Sequence, residues 1–284
     1  MISIIIPAKD EEGSIVETIE QIQRALAEME REIIVVDDGS QDATAERALA
    51  TGIKVISHPH NLGYGASLKT GIRAATYDTI VITDADGTYP NEQIPLLLKE
   101  YNKGFDMVVG ARTGQNYFES AMKAPLRLLL KLMVEYTAGR KVPDVNSGLR
   151  VFSKQKAIPF FNHLSNTFSF TTSITLAYMM NSQFVKYIPI PYHKRTGKTK
   201  VHLFRDSLRT LQYIVEAITY YNPLKIFILM SAMIITGAVL SLIIALFSRL
   251  TIFYFLGIGG LLMGINVFCM GLLAVLLRQI MVKE

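Results

Sequence analysis

Short apolar segments alternate with amphipathic segments over the first 110 residues. The apolar segments are rich in β-branched residues and predict strands, whereas the segments between them repeat apolar residues at helical spacing. The predicted strands are 2–6, 32–37, 54–57, 79–83 and 106–110, and the predicted helices are 14–29, 43–50, 66–75 and 94–103. This alternation indicates an α/β domain with a parallel sheet wound with helices. Its ligand should lie beyond the carboxyl ends of the strands.

The C-terminal part of the chain has a different pattern. Residues 226–248 and 250–277 form two apolar runs without a charged residue, and only Arg249 separates them. At about 1.5 Å per residue, each run exceeds the roughly 30 Å thickness of bilayer hydrocarbon. We therefore predict a transmembrane hairpin with spans at about 226–248 and 251–277, and a buried hairpin of a soluble protein is the alternative. The spacing of Gly260 and Gly264 would allow helices to approach closely, which leaves homo-oligomerisation open.

Charges beside the two runs predict the orientation of the hairpin. Lys225 precedes the first run, whereas Arg278 and Lys283 follow the second. Because positive residues favour the cytoplasmic side, both ends and the N-terminal domain are predicted to be cytoplasmic. The N-terminal apolar stretch 2–7 is too short for a signal peptide and is followed by charged residues. The sequence thus indicates a multi-pass protein of the cell membrane.

Composition narrows the class of protein. Half of the residues are hydrophobic and 19% are charged, which excludes a disordered chain and is too apolar for an ordinary soluble enzyme. The single cysteine, Cys269, excludes an internal disulfide. A net charge of +5 over 284 residues does not by itself imply a nucleic-acid partner, and we predict none.

Acidic residues gather where three predicted strands end. The segments concerned are 7–12, 37–42 and 84–88. Repulsion makes such a gathering costly unless a cation or hydrogen-bond donors compensate. Asp84 and Asp86 have the spacing at which two carboxylates reach one hard cation, and Mg²⁺ or Mn²⁺ shared with substrate phosphates is the expected group. The alternative is a turn that binds no ion. For Asp10 and Asp42 we favour local roles, with Asp42 at a helix N-cap.

An ordered set of motifs resembles a known family. The motifs are residues 4–11 (IIIPAKDE), 34–40 (IVVDDGS), 61–65 (NLGYG), 84–87 (DADG), 144–150 (DVNSGLR) and 195–200 (RTGKTK). Together with the hairpin they resemble the family 2 glycosyltransferases with the GT-A fold. The branch that they resemble is the polyprenyl-phosphate sugar synthases, similar to dolichyl-phosphate mannose synthase. This resemblance implies a mixed, mostly parallel sheet.

The resemblance also implies a donor site. The donor-binding positions would be Pro7, Ala8, Lys9, Glu11, Asp37, Asp38, Lys69, Asp84 and Ala85. Asp84 and Asp86 would hold the metal against the donor diphosphate, with Asp86 the principal ligand. Thr88 stands where many relatives have glutamine, so water would replace a third protein ligand. For Lys69, phosphate neutralisation and an exposed helix lysine are both open.

The same resemblance assigns the acceptor side, and the charge distribution supports it. Residues that would guide the acceptor phosphate are Arg112, Arg127, Ser147, Arg195, Lys198 and Lys200, the first four with catalytic roles beside Asp86. Between Asp144 and Asp206 the sequence has nine basic residues and no acidic one. We expect this segment to face anionic headgroups or an anionic lipid substrate, since each basic residue near a membrane surface adds on the order of 1 kcal/mol of attraction, and generic membrane adhesion is the alternative. Two amphipathic helices, 118–138 and 203–221, suit the bilayer interface, although a core-packing role fits nearly as well.

These elements predict three parts of the chain. A GT-A catalytic domain would span 1–200, with an interfacial helix at about 118–138. A juxtamembrane amphipathic helix would follow at 201–222 and the hairpin at 223–284.

The acceptor decides what catalysis requires. A sugar hydroxyl needs a general base, whereas a lipid phosphate is already ionised at neutral pH. Residues 168–173 offer hydroxyls and aromatic rings but no acid, which favours a phosphate acceptor, although Asp144 remains a candidate base. We therefore predict an inverting transfer of a hexose from GDP-mannose or UDP-glucose to polyprenyl or dolichyl phosphate. The alternatives are transfer to a diacylglycerol or glycan hydroxyl, and a non-catalytic nucleotide-binding membrane subunit.

Overall fold

The computed structural model describes residues 1–114, 124–194, 203–248 and 250–281, and the side chains of 124–127, 203–207 and 281 lie outside this description. The chain divides into two units, Met1–Ile214 and Val215–Glu284. The division falls inside a helix, Leu203–Tyr221.

The first unit is built on a seven-stranded sheet within the described residues. The strands are β1 (Ile2–Ala8), β2 (Arg31–Asp37), β3 (Lys54–Ser57), β4 (Thr79–Ile82), β5 (Met107–Thr113), β6 (Arg150–Ser153) and β7 (Val185–Pro191). Their spatial order is β3-β2-β1-β4-β6-β5-β7. β6 pairs antiparallel with β4 and β5, and all other neighbours are parallel. The predicted mixed, mostly parallel sheet is confirmed.

Helices cover the sheet. Those of the first unit are α1 (Ile15–Ala25), α2 (Thr44–Ala50), α3 (Tyr64–Ala74), α4 (Ile94–Tyr101), α5 (Ala124–Ala138), α6 (Lys154–Ala157) and α7 (Phe170–Met180), and α8 (Leu203–Tyr221) crosses the division. Short 3-10 helices occur at Asn91–Gln93 and Ile158–Phe160. The strands and helices predicted for the first 110 residues agree with these elements to within a few residues. The predicted helix 14–29 is the least accurate, since α1 ends at Ala25.

The central strand shows why the apolar runs are continuous. Every residue of β1 is buried. Because successive side chains of a strand point to opposite faces, Ile4 and Ile6 join the core beneath α1, while Ile5 lies against Gly71 of α3. A strand covered on both faces reads as an uninterrupted apolar run rather than an alternating one.

The second unit is a helical hairpin. It contains α9 (Pro223–Ser248) and α10 (Thr251–Met281), both long and apolar enough to cross a membrane. Only 11% of the most apolar stretch of each helix is buried. A core hairpin of a soluble protein would be mostly buried, so this alternative does not fit the second unit.

Glycines of α10 pack the hairpin. A Cβ atom at Gly260 would lie 2.8 Å from Cβ of Ala238, and one at Gly264 would lie 2.5 Å from Cγ1 of Ile235. The Ser231 hydroxyl donates to the Gly264 carbonyl at 2.8 Å. The close approach predicted for Gly260 and Gly264 is therefore used between α9 and α10 of one chain.

Candidate active site

Three acidic segments meet at one edge of the sheet. β1, β2 and β4 are parallel neighbours, so the residues that follow them lie side by side. The first two segments are joined by hydrogen bonds: Asp10 Oδ1 accepts from the Gln41 amide at 2.8 Å, and Asp42 Oδ2 accepts from the Glu12 amide at 3.2 Å. Asp42 Oδ1 also accepts from the amide of Thr44, where α2 begins. The N-cap residue of α2 is Ala43, so the prediction that Asp42 occupies this N-cap is wrong by one position. Asp10 and Asp42 instead tie the first two acidic segments together.

The end of β2 shapes the loop before α3. Asp38 is buried, and its carboxylate accepts from the amides of Leu62 and Gly63, both at 2.8 Å. Its Oδ1 also lies 2.9 Å from Nδ1 of His58. Asp37 is buried beside it and accepts from the Ser40 amide at 3.2 Å. Asp38 therefore fixes the 58–63 loop.

The predicted nucleotide-lining residues lie at the same edge. Pro7 and Ala8 are buried at the end of β1, where Ala8 pairs with Asp37 of β2. Lys9 and Glu11 follow and are half-buried. The structure thus brings the predicted donor residues of β1 and β2 together.

Asp84 and Asp86 lie in the turn after β4. The Tyr64 hydroxyl donates to Asp84 Oδ1 at 2.8 Å. Asp86 is 5% exposed, and its Oδ1 accepts from the amide and the hydroxyl of Thr88 at 3.1 and 2.6 Å. α1 supports the turn, because the Thr18 hydroxyl donates to the carbonyl of Ala85.

The chemistry of this turn fits a hard divalent cation. Within the described residues, no group of three or more His, Cys, Asp or Glu side chains is arranged to hold a metal ion. Two carboxylates are nevertheless sufficient protein ligands for a Mg²⁺ or Mn²⁺ site whose other ligands are substrate phosphates and water. Thr88 donates a hydrogen bond to Asp86 and so orients this carboxylate.

The loop before β6 is in contact with Asp84. A Cβ atom at Gly148 would lie 2.7 Å from Asp84 Oδ1, so only glycine allows this approach. The Gly148 amide donates to the Tyr89 hydroxyl at 2.6 Å. Tyr89 thereby joins the Asp84 turn to the 144–148 loop, a role that no motif indicated.

Arg112 and Asp144 form a buried ion pair on the other side of this loop. The guanidinium donates from Nε and from a terminal nitrogen to the two oxygens of Asp144 at 2.8 and 2.9 Å. The pair is enclosed, with 15% and 1% of the two side chains exposed. Arg112 also lies over the ring of Tyr192, 5.3 Å from its centroid.

Asp144 is saturated with hydrogen bonds. Besides the guanidinium, the amides of Arg112 and Asn146 donate to it at 3.0 and 3.1 Å. Burial alone would raise the pKa of Asp144, but the charge and hydrogen bonds of Arg112 outweigh burial and hold the pKa below its usual range. A carboxylate with a lowered pKa and four donors is a poor general base.

Ser147 and Arg150 are buried around the same loop. The Ser147 hydroxyl donates to the carbonyl of Gly110 at 2.5 Å. The role of Ser147 toward the acceptor phosphate stays a prediction. The Arg150 guanidinium is fully buried and donates to the carbonyls of Ser147 and Val145. Arg150 belongs to the acid-free segment that we expected to face anionic lipid, and for this residue the expectation is wrong.

Lys69 is buried on α3, so its description as an exposed helix lysine is wrong. Its ammonium donates to the carbonyl of Leu164 at 2.6 Å and to Asn166 Oδ1 at 2.7 Å. Burial, with a smaller contribution from the positive charge of Arg73, lowers the pKa of Lys69 to about 8. Its role toward the donor stays a prediction.

Several predicted acceptor residues lie outside the described part of the chain. These are the side chain of Arg127 on α5 and the residues Arg195, Lys198 and Lys200. Their roles also stay predictions.

The chain is similar in sequence to known proteins. A family model described as "Glycosyl transferase family 2" matches residues 3–161, more than half of the chain. The chain is 33% identical over 223 residues to the low-salt glycan biosynthesis hexosyltransferase Agl6 of Haloferax volcanii, and the alignment covers 75% of this chain and 53% of that protein. The chain thus spans about half the length of this relative.

The name of a second relative includes undecaprenyl phosphate. The chain is 25% identical over 244 residues to undecaprenyl-phosphate 4-deoxy-4-formamido-L-arabinose transferase of Salmonella choleraesuis, and the alignment covers 83% of this chain and 72% of that protein.

Solved structures share the fold. Glucosyl-3-phosphoglycerate synthase from Mycobacterium tuberculosis, in complex with Mn²⁺, uridine diphosphate and phosphoglyceric acid, matches with a TM-score of 0.62 and 21% identity over 76% of this chain and 78% of that chain. The same enzyme with Mg²⁺ and uridine diphosphate matches with a TM-score of 0.62 and 20% identity, over 76% and 79% of the two chains. These neighbours have the GT-A fold, so the predicted fold is confirmed.

Proposed function

Because the chain belongs to glycosyl transferase family 2, as its motifs predict, we propose that it is a metal-dependent inverting glycosyltransferase. It moves a hexose from a nucleotide-diphospho-sugar, of the GDP-mannose or UDP-glucose type, to polyprenyl or dolichyl phosphate. The product is a lipid-linked monosaccharide. The names of the two relatives, a hexosyltransferase and an undecaprenyl-phosphate sugar transferase, support the transferred group and the acceptor class.

The state of Asp144 is the observation that carries this proposal. Asp144 is the acidic residue of the 144–150 motif, and its carboxylate is buried, paired with Arg112 and supplied with four donors. The next 61 positions of the sequence contain no other acid. An acceptor hydroxyl would need a base that this segment does not supply, whereas a phosphate brings its own ionised oxygen.

The reaction is then a displacement at the anomeric carbon. A phosphate oxygen of the acceptor forms a bond to this carbon, and the bond to the donor diphosphate breaks on the opposite side, which inverts the centre. Asp84 and Asp86 would hold a divalent cation, and such a cation supplies charge stabilisation to the departing diphosphate. Asp37, Asp38 and the end of β1 would bind the nucleoside. The protein contributes mainly alignment and electrostatic stabilisation.

The acceptor would reach the site from the membrane. In this proposal Arg112, Arg127, Ser147 and Arg195 guide its phosphate, and Lys198 and Lys200 add positive charge. α5 and α8 lie in the bilayer interface, and α9 and α10 span the bilayer with the catalytic unit in the cytoplasm. The length and the exposed apolar surface of α9 and α10 support the two membrane spans.

The test measures sugar transfer to lipid. Membranes that contain the chain are supplied with a panel of labelled nucleotide sugars and polyprenyl phosphate, with and without a chelator, and label in the organic extract is counted. We expect label in the extract with one donor, its loss with chelator, and at least a hundredfold loss in Asp86→Ala.

Controls and competing acceptors make this test decisive. Asp10→Asn is the matched control, because Asp10 lies at the same edge with a positive φ of 46° that asparagine tolerates. It should keep nearly full activity. Unchanged turnover in Asp86→Ala would refute the metal site. Preferred transfer to diacylglycerol or to a glycan hydroxyl would refute the acceptor, and absence of donor consumption under all conditions would indicate a non-catalytic subunit.

A further inference from the structure

A polar side chain lies at the middle of α10 on its exposed surface. Asn266 is the sixteenth of the 31 residues between Thr251 and Met281, and it is exposed. One amide hydrogen donates to the carbonyl of Leu262, one turn earlier in the same helix, at 3.1 Å. Within the described residues, nothing accepts from its second amide hydrogen or donates to its Oδ1. If the hairpin spans the bilayer as proposed above, this carboxamide lies at the centre of the hydrocarbon, where unpaired polar groups are costly.

The residues around Asn266 form a regular seam. Gly259, Leu262, Asn266, Cys269 and Leu273 follow each other at alternating spacings of three and four, and all five are exposed. A Cβ atom at Gly259 would meet no atom within 4 Å. Alternation of three and four is the pattern by which one helix packs along another. We call these five residues the α10 seam.

The α10 seam is separate from the surface that packs the hairpin. The packing surface contains Gly257, Gly260, Gly264 and Gly271, each of which contacts α9. Every seam residue lies two positions from one of these glycines, which is about 200° around an α-helix. The seam therefore faces away from α9, and α9 cannot satisfy Asn266.

We propose that the α10 seam is a self-association surface at which two copies of this chain pair, with hydrogen bonds between their Asn266 amides. A carboxamide contains both a donor and an acceptor, so it is complementary to a copy of itself across a twofold axis. Copies inserted in one membrane share one orientation, so the axis runs along the membrane normal and the two α10 helices are parallel. In that arrangement each seam residue faces its own counterpart.

The single cysteine of the chain reports this pairing without mutation. Cys269 lies on the seam one turn from Asn266 and faces Cys269 of the second copy in the parallel arrangement. Membranes containing the full-length chain are oxidised with copper phenanthroline and analysed on a non-reducing gel. We expect a disulfide-linked band at twice the monomer mass. The matched control is a double variant, Cys269→Ser together with Leu272→Cys, which moves the single cysteine. Leu272 is exposed but lies about a quarter turn off the seam. It should give little dimer.

A second measurement does not depend on thiol chemistry. Chains labelled with donor and acceptor fluorophores are diluted with lipid in vesicles, and the monomer–dimer equilibrium is read from energy transfer. Asn266→Leu should weaken dimerisation roughly three- to twentyfold, the range expected for interhelical hydrogen bonds in membranes. Asn266→Gln retains the amide and should restore most of the association.

Each alternative outcome contradicts the inference. Equal cross-linking of the Cys269 and Leu272→Cys chains, or equal dimerisation of Asn266→Leu, would show that the seam is not the contact. A disulfide between Cys269 and another protein would identify a different partner, and absence of both the disulfide and energy transfer would show a monomer. Resistance to carbonate extraction tests membrane insertion separately. Sugar transfer in the same vesicles tests the proposed function, since cross-linking needs neither donor nor acceptor.

Discussion

At the scale of single residues, Tyr64 connects the two sides of the candidate site. Its hydroxyl donates to Asp84, and its ring stacks on Phe168 with a centroid distance of 5.5 Å. Burial, together with the charge of Asp84, raises the pKa of Tyr64 well above its ordinary value. The phenol therefore stays a donor at every working pH and holds one oxygen of the proposed metal ligand in place.

Removing this hydroxyl should weaken metal binding more than the fold. In Tyr64→Phe we expect the Mn²⁺ concentration for half-maximal activity to rise about tenfold, the lower end of the effect of losing a partner of a metal ligand. Mn²⁺ binding measured by electron paramagnetic resonance should shift in parallel. Tyr77→Phe is the control, since the Tyr77 hydroxyl bonds to Glu30 instead. Equal metal dependence in the wild type and Tyr64→Phe would contradict this role.

The Arg112–Asp144 pair gives a second residue-level prediction. Asp144→Asn leaves the Arg112 guanidinium buried without a carboxylate, which should cost about 3–5 kcal/mol in the free energy of unfolding. Because the pKa of Asp144 is lowered by folding, its contribution is present above its unfolded pKa and is lost as pH falls through its folded pKa. The difference in stability between wild type and variant should thus be constant from pH 8 to about 5 and shrink below about 4. Denaturation in detergent at each pH measures it, and a difference that changes between pH 6 and 8 would contradict the assignment.

At the scale of elements, α3 joins the sheet to the segment before α7. At its start, the Ala66 amide donates to the carbonyl of Asn166 at 3.1 Å, and Lys69 bonds to Leu164 and Asn166. Further along, Gly71 lies directly on the sheet, and a Cβ atom there would overlap with Cγ2 of Ile5. The position of α3 fixes Tyr64, and through Tyr64 it fixes Asp84.

Filling the space at Gly71 should displace α3. We expect overpacking in Gly71→Ala to destabilise the protein by about 1–3 kcal/mol. The higher helix propensity of alanine offsets up to about 1 kcal/mol of this loss. Thermal unfolding measures this change. Gly13→Ala is the matched control, because nothing lies within 4 Å of a Cβ atom at Gly13. An unchanged or raised melting temperature in Gly71→Ala would show that the helix adapts without strain.

At the scale of the whole molecule, one unit carries a candidate site and the other carries apolar surface. The hairpin exposes many large apolar side chains on both of its helices. Basic residues flank its two ends, whereas its turn has only Arg249. This distribution of charge predicts the orientation of the hairpin and, with it, the compartment of the first unit.

Topology can be tested directly. A reporter fused after Glu284 should be cytoplasmic, and the same reporter inserted between Arg249 and Leu250 should be on the opposite side, because positive residues favour the cytoplasm. A paired alkaline phosphatase and fluorescent protein fusion at each position measures the side. Both reporters on the same side would exclude a two-span hairpin.

The sequence by itself determined the elements of the first 110 residues, the two apolar helices and the gathering of acidic strand ends. The elements follow from local periodicity, which can be read along the chain. The gathering of acidic residues follows from the rule that the carboxyl ends of parallel strands meet at one edge of the sheet. The assignment of Asp84 and Asp86 as a pair follows from their spacing of two in one turn.

Only the tertiary structure decided what surrounds that pair. In the structure, β6 lies antiparallel between β4 and β5, and Gly148, just before β6, lies against Asp84. Arg150 is buried, although the sequence presents it as part of a basic segment. The structure also pairs Arg112 with Asp144, 32 positions away. The hydrophobic pattern of a sequence indicates whether a position is buried or exposed. The partner of a buried charge depends on how distant segments pack together. The proposal of a phosphate acceptor rests on the pairing of Arg112 with Asp144.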